Sequence, residues 1–590
     1  MGEYNFITIF LIKLTLMKFI FSKKVMYVFI IILSLVFLFY YYYYGIFKYG
    51  YAVPPGDDGL RHMTEAKYIM QTGYYTNHPG STDPPLFHIL LTILSAILGK
   101  HLVSITIFFT PFLTILSIFS IYFITRRYFN KTLAIIALSI FVFISPNLFG
   151  LYEDGTYLDL ISAEFFLIFT ISFLPFVFKN LKNNVHYKNI ALILVFAGST
   201  ILAHSLSIVY LLMILFIYFL LLVYWYFTNA KNRKIITKYI LIIYLTVIML
   251  LFFVWNYYFE GAIGRLFKTF NFIKTGNQTN IKLNSNDIFF SIPTNFNGYV
   301  KAYSFVVILL AIAGLICLFF SFILKFKFYQ NIINIFKPYH KLLNNDLGNN
   351  VLSNKNKIFE ILMLIVWIGI LIMGSRFSFF IYPSRLLGDA IIPVCILSAI
   401  FVYFLIIYYK NNFKRYFIVV LFIIFILFFA INKINQASKY QLQVRIQKSD
   451  QEALKWINYN TKPEDTILVM PKTIINGSWG SYIDLFTDRR TFDGSICPKY
   501  DDNKCDPIYK PNSEISIEYY INNSIDYVYA GKKIMGEFVW KNSIDWSYQD
   551  KLSKASFLEK IVEFKENKEL GSIIIFKVNH QKLNNLLSFK

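Results

Sequence analysis

Four groups of ionisable side chains are spaced so that they could act together. The first is Asp57 and Asp58, with His62 about one turn further on, inside the polar stretch Asp57–His88. The two carboxylates follow the breaker Pro54-Pro55-Gly56 and stand where a helix running to about Gln71 begins. Acidic side chains there suit the positive end of a helix dipole. Asp58, Arg61, His62 and Glu65 are spaced to share one face of that helix, Gly73 ends it, and Pro84-Pro85 starts the next. The second group is Glu153, Asp154 and Asp159 in YEDGTYLD; the third is His204, between two apolar runs; the fourth is Arg376 and Arg385 in GSRFSFFIYPSRLL. Carboxylates opposite arginines could hold a phosphate while a base acts on an acceptor. Asp57, Asp58, Glu153, Asp154 and Asp159 are therefore the catalytic candidates, and His62, His204, Arg376 and Arg385 the substrate-binding ones. Each group also has a plainer reading: a helix cap, a turn, an interface histidine, or arginines reaching lipid head groups. The order of the chain across a membrane decides between the two.

The chain has 590 residues, 56% hydrophobic and 19% aromatic, with only 15% charged. Its mean hydropathy of +0.51 places it among polytopic membrane proteins. A formal net charge of +23 would suggest nucleic acid in a soluble chain. Here much of the Lys and Arg lies in short tracts between apolar segments, as in cytoplasmic loops, and nucleic acid is not an expected partner. Lys13 and Lys18 interrupt the first apolar pattern and no small-residue cleavage site follows, so the first span reads as a signal anchor.

Taking runs of roughly 17–25 apolar residues as spans gives about eleven. They lie near 25–47, 102–125, 131–149, 158–178, 188–204, 206–228, 237–256, 301–324, 358–374, 386–408 and 416–431. The segment 86–99 is short for a span and suits the interface. Arg126, Arg127 and Lys131 fall in one loop, Lys179, Lys182 and Lys188 in another, and Lys231, Arg233 and Lys234 in a third. Lys325 to Lys357 make a fourth, and Lys410, Lys414 and Arg415 a fifth. When the spans alternate, every one of these loops shares a side with Lys23 and Lys24, which the positive-inside rule makes the cytoplasm. All four ionisable groups then face the other side. Ionisable groups at membrane depth cost of order 2–3 kcal/mol each, so such a gathering calls for a function.

The expected organisation is a transmembrane domain over 1–431, with a first extracytoplasmic acidic loop at 48–85, and an extracytoplasmic α/β domain over 432–590. In the latter a helix at Asp450–Asn458 and strands at Thr466–Met470, Tyr527–Ala530 and Ser572–Val578 are expected. Loop 257–300, with its basic start and Asn-rich centre, shows no clear structure. Cys317 and Cys395 lie in spans and read as packing residues. Cys497 and Cys505 close the outer loop CPKYDDNKC, where a disulfide is expected; a zinc site would need two further ligands, and none is near.

The run Asp58, Gly73, Asp83-Pro84-Pro85-Leu86-Phe87, Gly99, Arg126-Arg127-Tyr128-Phe129 and Ser145-Pro146 resembles the N-terminal half of the GT-C membrane glycosyltransferases. The protein O-mannosyltransferase and aminoarabinose transferase group is nearest in pattern, with Asp83 standing where that group has a Lys. Oligosaccharyltransferase-like features appear in the Asp58-to-Gly73 spacing. They recur in SDQEALKWINYN, Gly477-Ser478-Trp479-Gly480 and Thr487-Asp488-Arg489-Arg490-Thr491-Phe492, without the Trp-Trp-Asp-Tyr-Gly motif that reads a sequon. The resemblance implies a GT-C-like helical membrane fold and transfer of a sugar from a polyprenyl-phosphate donor to a protein, lipid or glycan acceptor. It implies Asp58 as base or metal ligand, Asp154 or Asp159 as partner carboxylate, and Arg385 with Arg376 on the leaving phosphate. A metal-dependent member would hold Mg²⁺ or Mn²⁺ on Asp58 and Asp154. A transporter or flippase of lipid-linked saccharides is the main competitor, but it predicts internal repeats and charges near mid-span, neither of which is present. A non-enzymatic protein of cell-surface assembly would leave the first-loop carboxylates without a role.

Overall fold

Long apolar runs flanked by polar breakers give helices whose backbone groups are satisfied internally, as a membrane demands. The computed structural model describes residues 23–49, 58–73, 86–145, 165–179, 187–203, 205–228, 296–323, 357–376, 387–409, 412–439, 448–470, 483, 487, 489–493, 510–531, 548–565 and 572–588. The helices of the membrane part are α1 (Lys23–Tyr49), α2 (Asp58–Thr72), α3 (Leu86–Leu98), α4 (Leu102–Tyr128), α5 (Lys131–Ser139), α6 (Leu167–Lys179) and α7 (Tyr187–Ala203). They continue with α8 (Ser205–Thr228), α9 (Phe296–Tyr303), α10 (Phe305–Ile323), α11 (Lys357–Arg376), α12 (Ile391–Tyr408) and α13 (Asn412–Lys439).

Among the described residues, four helices are long and apolar enough to cross a membrane: Val25–Tyr44, Leu102–Tyr128, Leu387–Tyr408 and Phe417–Asn435. Shorter apolar helices lie at Leu86–Leu98, Lys131–Ile144, Ala191–Ala203, Tyr210–Leu220, Phe305–Phe319 and Ile361–Ser375. The expected span at 237–256 lies outside the described residues. Exposed apolar side chains such as Phe29, Val36, Val195, Phe319, Phe417 and Phe428 give the helices a lipid-facing surface. The protein is thus a multi-pass membrane protein.

Two helices depart from the expected pattern, and a third ends where it was expected. The run predicted over 131–149 changes after Ser139 into a π-turn, Ile140–Ile144, closed by Ser145 N–H donating to the Ile140 carbonyl at 3.0 Å. The run predicted over 301–324 is broken at Ser304, whose φ of 66° is left-handed, and α9 lies ahead of the break. Residues 296–300, expected in a loop, are therefore helical. The first polar helix ends at Thr72 with Gly73 at φ 72°, a conformation that only glycine adopts without cost.

Packing follows membrane rules, with small residues where backbones approach. A Cβ on Gly314 of α10 would lie 1.9 Å from the Leu397 carbonyl oxygen of α12. Ser398 of α12 donates to the Val307 carbonyl of α10 at 2.9 Å in the same crossing. Tyr128 and Tyr218 each donate to α6, to the Ile171 carbonyl at 2.7 Å and the Leu174 carbonyl at 2.6 Å.

Beyond α13 come α14 (Lys448–Asn460), β1 (Thr466–Met470), β2 (Arg490–Asp493), α15 (Glu514–Asn522) and β3 (Tyr527–Ala530). After them come α16 (Tyr548–Ser553), β4 (Leu558–Lys565), β5 (Ser572–Val578) and α17 (His580–Ser588). The strands form one sheet in the order β2-β1-β3-β5-β4, parallel on the β2-β1-β3 side and antiparallel on the other. Two buried polar groups anchor α14 to it. Tyr529 donates to the Asp450 carboxylate at 2.9 Å. Arg489 donates to the Thr461 carbonyl at 2.8 Å and the Thr461 hydroxyl at 3.1 Å, capping the carbonyl end of α14.

Candidate active site

The first polar stretch becomes a helical hairpin. Asp58 is the first residue of α2, so its backbone sits at the positive end of the helix. Met63 and Ala66, both fully buried, pack this helix against Phe87 and Leu91 of α3. His62 joins that apolar face, at 3% exposure.

What His62 meets there was not legible in the sequence. Its Nδ1 lies 2.9 Å from Nε2 of His88 on α3, and the same His88 nitrogen lies 3.0 Å from the Glu65 carboxylate. His88 is fully buried and the Glu65 side chain is 13% exposed. One imidazole nitrogen therefore joins a second imidazole and a carboxylate in an apolar wall. With a proton on His88 Nε2, both neighbours act as acceptors. Phe87 stacks edge-on against His62 at 5.4 Å between centroids, and Thr92 donates to the Ala66 carbonyl at 3.1 Å, which completes the α2–α3 contact. The cluster fixes the helix whose first residue is Asp58.

The residues flanking the arginine group are held by α9. Tyr299 and Ser375 share a hydrogen bond of 2.6 Å, and Ser375 immediately precedes Arg376, the last residue of α11. One turn later Tyr303 donates to the Leu387 carbonyl, just past Arg385. A single short helix thus holds Ser375 and Leu387, the described residues on either side of Arg376 and Arg385 in the sequence. Asp389, partly buried at the start of α12, adds a carboxylate four residues after Arg385 that the sequence reading passed over.

A third element was also missed. Lys433 of α13, 5% exposed, donates to the Val142 carbonyl at 2.9 Å. Val142 belongs to the π-turn, where helix-end carbonyls lack intrahelical partners, so the ammonium acts as a cap. Glu153, Asp154 and Asp159 follow this turn in the sequence. The signal in the sequence was a lone lysine two residues past the end assigned to the last apolar run.

Asp57, Glu153, Asp154, Asp159, His204, Arg385, Cys497 and Cys505 lie outside the described residues, as do the side chains of Asp58 and Arg376. Among the described residues no group of three or more His, Cys, Asp and Glu side chains is arranged to hold a metal ion. Cys317 and Cys395 lie within the bundle and form no disulfide among the described residues.

No protein-family model matches the sequence, and no curated protein matches it. Solved structures do. The archaeal oligosaccharyltransferase AglB from Archaeoglobus fulgidus, in complex with an inhibitory peptide and a dolichol-phosphate, superposes with a TM-score of 0.54 at 12% identity. That superposition covers 87% of this chain and 70% of the enzyme. The same oligosaccharyltransferase in its apo form gives 0.54 at 13% identity over 87% and 70% of the two chains. ArnT from Cupriavidus metallidurans, bound to undecaprenyl phosphate, gives 0.49 at 10% identity over 94% and 98%. The superposition shows that this chain shares the fold of AglB, in line with the resemblance read from its sequence motifs.

Proposed function

We propose that this chain is a membrane glycosyltransferase that moves a sugar or oligosaccharide from a polyprenyl-phosphate-linked donor to an acceptor at the extracytoplasmic face. The observation that carries this reading is the hold of α9 on Ser375 and Leu387, on either side of Arg376 and Arg385 in the sequence, in a fold shared with AglB. A loop bearing two arginines gains from rigid ends when its task is to meet a phosphate in one geometry.

In the proposed step the acceptor nucleophile attacks the anomeric carbon as the bond from that carbon to the phosphate oxygen breaks. The acceptor proton passes to Asp58, and the bonding pair leaves with the lipid phosphate, whose charge Arg385 and Arg376 neutralise. Asp154 or Asp159 is the partner carboxylate, with Asp57 and Glu153 as neighbours; His62 orders α2, and His204 faces the same side. Polyprenyl phosphate is a good leaving group, so one base and a phosphate clamp account for most of the chemistry. A divalent metal, Mg²⁺ or Mn²⁺, would draw on Asp58 and Asp154 and polarise the phosphate when bound; the proton transfer and phosphate neutralisation above use this chain's own residues. In the same reading residues 1–431 form the membrane domain, 432–590 stand outside, and Cys497 is bonded to Cys505. The N-terminus is cytoplasmic. The acceptor is a protein, a lipid or a glycan.

The test is sugar transfer in membranes from polyprenyl-phosphate-linked donors to endogenous acceptors. Arg385→Gln removes a charge-assisted contact worth about 1.5–3 kcal/mol and should raise the donor KM by roughly tenfold to a hundredfold. Unchanged transfer in both Arg376→Gln and Arg385→Gln would sink the reading.

A further inference from the structure

A groove of about 410 Å³ lies between α1, α5, α12 and α13. Its walls are almost wholly apolar, with Ile136, Phe143, Tyr403, Ile406, Phe422 and Ile426 among them. The polar groups that reach it are already satisfied. Ser139 donates to the Ile135 carbonyl at 2.8 Å, and the Tyr27 and Thr132 hydroxyls bond each other at 2.5 Å. The latter pair stands at one mouth, at the lysine-rich start of α1 and α5. There the exposed Lys131 ammonium lies 5.2 Å from the Tyr27 ring centroid, a cation at the end of the bundle. The far end is closed by Phe143, packed edge-on against Phe37 at 5.1 Å. Phe29, Val420 and Leu427 on the rim are 61%, 45% and 45% exposed, so the groove opens sideways onto lipid.

From Thr132 to Phe143 the groove follows about 16 Å of helix at 1.5 Å per residue, roughly half the hydrocarbon core. It has the reach of one leaflet, an apolar floor that asks nothing polar of its occupant, and one cation at its mouth. We propose that it binds an anionic phospholipid of the leaflet at the basic end of the bundle, one acyl chain lying along α5 and the phosphate beside Lys131. Lys131 stands at the start of α5, whereas the sequence carrying Glu153, Asp154 and Asp159 follows the other end of that run after Ser145, so the phosphate proposed here is not the donor phosphate of the proposed function. Charge complementarity selects the occupant: Lys and Arg beside a membrane surface draw anionic lipids by about 1 kcal/mol each.

The experiment uses the full chain in mild detergent, with dioleoylphosphatidylglycerol and dioleoylphosphatidylcholine as probes and native mass spectrometry as readout. Wild type should retain phosphatidylglycerol over phosphatidylcholine. Lys131→Gln should cut that preference about fivefold, and Ile136→Trp, which fills the groove, should lose both lipids. Lys131 is exposed at a helix start, so its variant keeps the test decisive should Ile136→Trp not fold. Equal retention of both lipids by wild type, or full phosphatidylglycerol preference in Lys131→Gln, would overturn the proposal. Displacement of phosphatidylglycerol by polyprenyl phosphate at equal potency would also overturn it, assigning the groove to the donor chain instead.

Discussion

The two sides of the candidate site are held by different chemistry. On the acidic side, α2 is fixed to α3 by side chains that can change charge: His62, His88 and Glu65 meet around one imidazole nitrogen in a buried wall. On the arginine side, α9 holds the flanking residues with tyrosine hydroxyls that meet a serine hydroxyl and a backbone carbonyl. The difference teaches where pH should act. The scaffold of Asp58 rests on two imidazoles and a carboxylate, whereas the described contacts on the arginine side are made by hydroxyls and backbone carbonyls.

Among the scaffold residues, the largest expected effect comes from breaking the acidic side. His88→Phe leaves His62 and Glu65 buried without their shared partner, at about 1–3 kcal/mol. Thermal unfolding in detergent should fall accordingly, and the pH profile of transfer should change shape. An unchanged profile would erase the proposed contrast.

That cluster also marks the limit of what the sequence could show. Helical periodicity and the Pro-Gly breakers placed α2 and its end at Gly73, because those signals are local. They set His62 on the face of Asp58 and Arg61, since spacing alone does not say which face meets α3. The apolar wall of Met63, Ala66, Phe87 and Leu91 decided the matter. The strands Thr466–Met470, Tyr527–Ala530 and Ser572–Val578 appeared where β-branched and aromatic runs put them. Strands β2 and β4 were missed, because Arg490–Asp493 carries charge at both ends and Leu558–Lys565 is half charged and mostly open to solvent on an edge. Helix α9 was hidden by its neighbours: Asn and Gly in FNGYVKAY read as the end of a loop, and the break at Ser304 has no motif. The GT-C resemblance was legible from the first 160 residues because its motifs sit at helix boundaries, where sequence is most specific.

A second blow to the acidic side is Lys433→Met. It uncaps the π-turn that precedes Glu153 and Asp154, yet removes a buried charge that costs of order 2–3 kcal/mol at membrane depth. Thermal stability should hold or rise, while transfer falls about tenfold through misplacement of the loop. Falling stability with normal transfer would make the lysine purely structural.

The arginine side should give smaller effects, all without pH dependence. Tyr303→Phe and Tyr299→Phe each remove one hydrogen bond worth about 1 kcal/mol. Each should raise the donor KM several-fold with little change in kcat. Ser375→Ala, which leaves the Tyr299 hydroxyl within 3.4 Å of the Ile372 carbonyl, should cost least, about 0.5 kcal/mol. A pH-dependent defect in any of the three would contradict the division between the two sides.

The central claim is that Asp58, fixed at the head of α2, takes the acceptor proton. It is tested most directly by sugar transfer from polyprenyl-phosphate donors in membranes containing Asp58→Asn or Asp58→Ala. Loss of a general base predicts a fall in kcat of about a hundredfold to ten-thousandfold in both, with donor binding retained. Full activity in both variants would contradict the account.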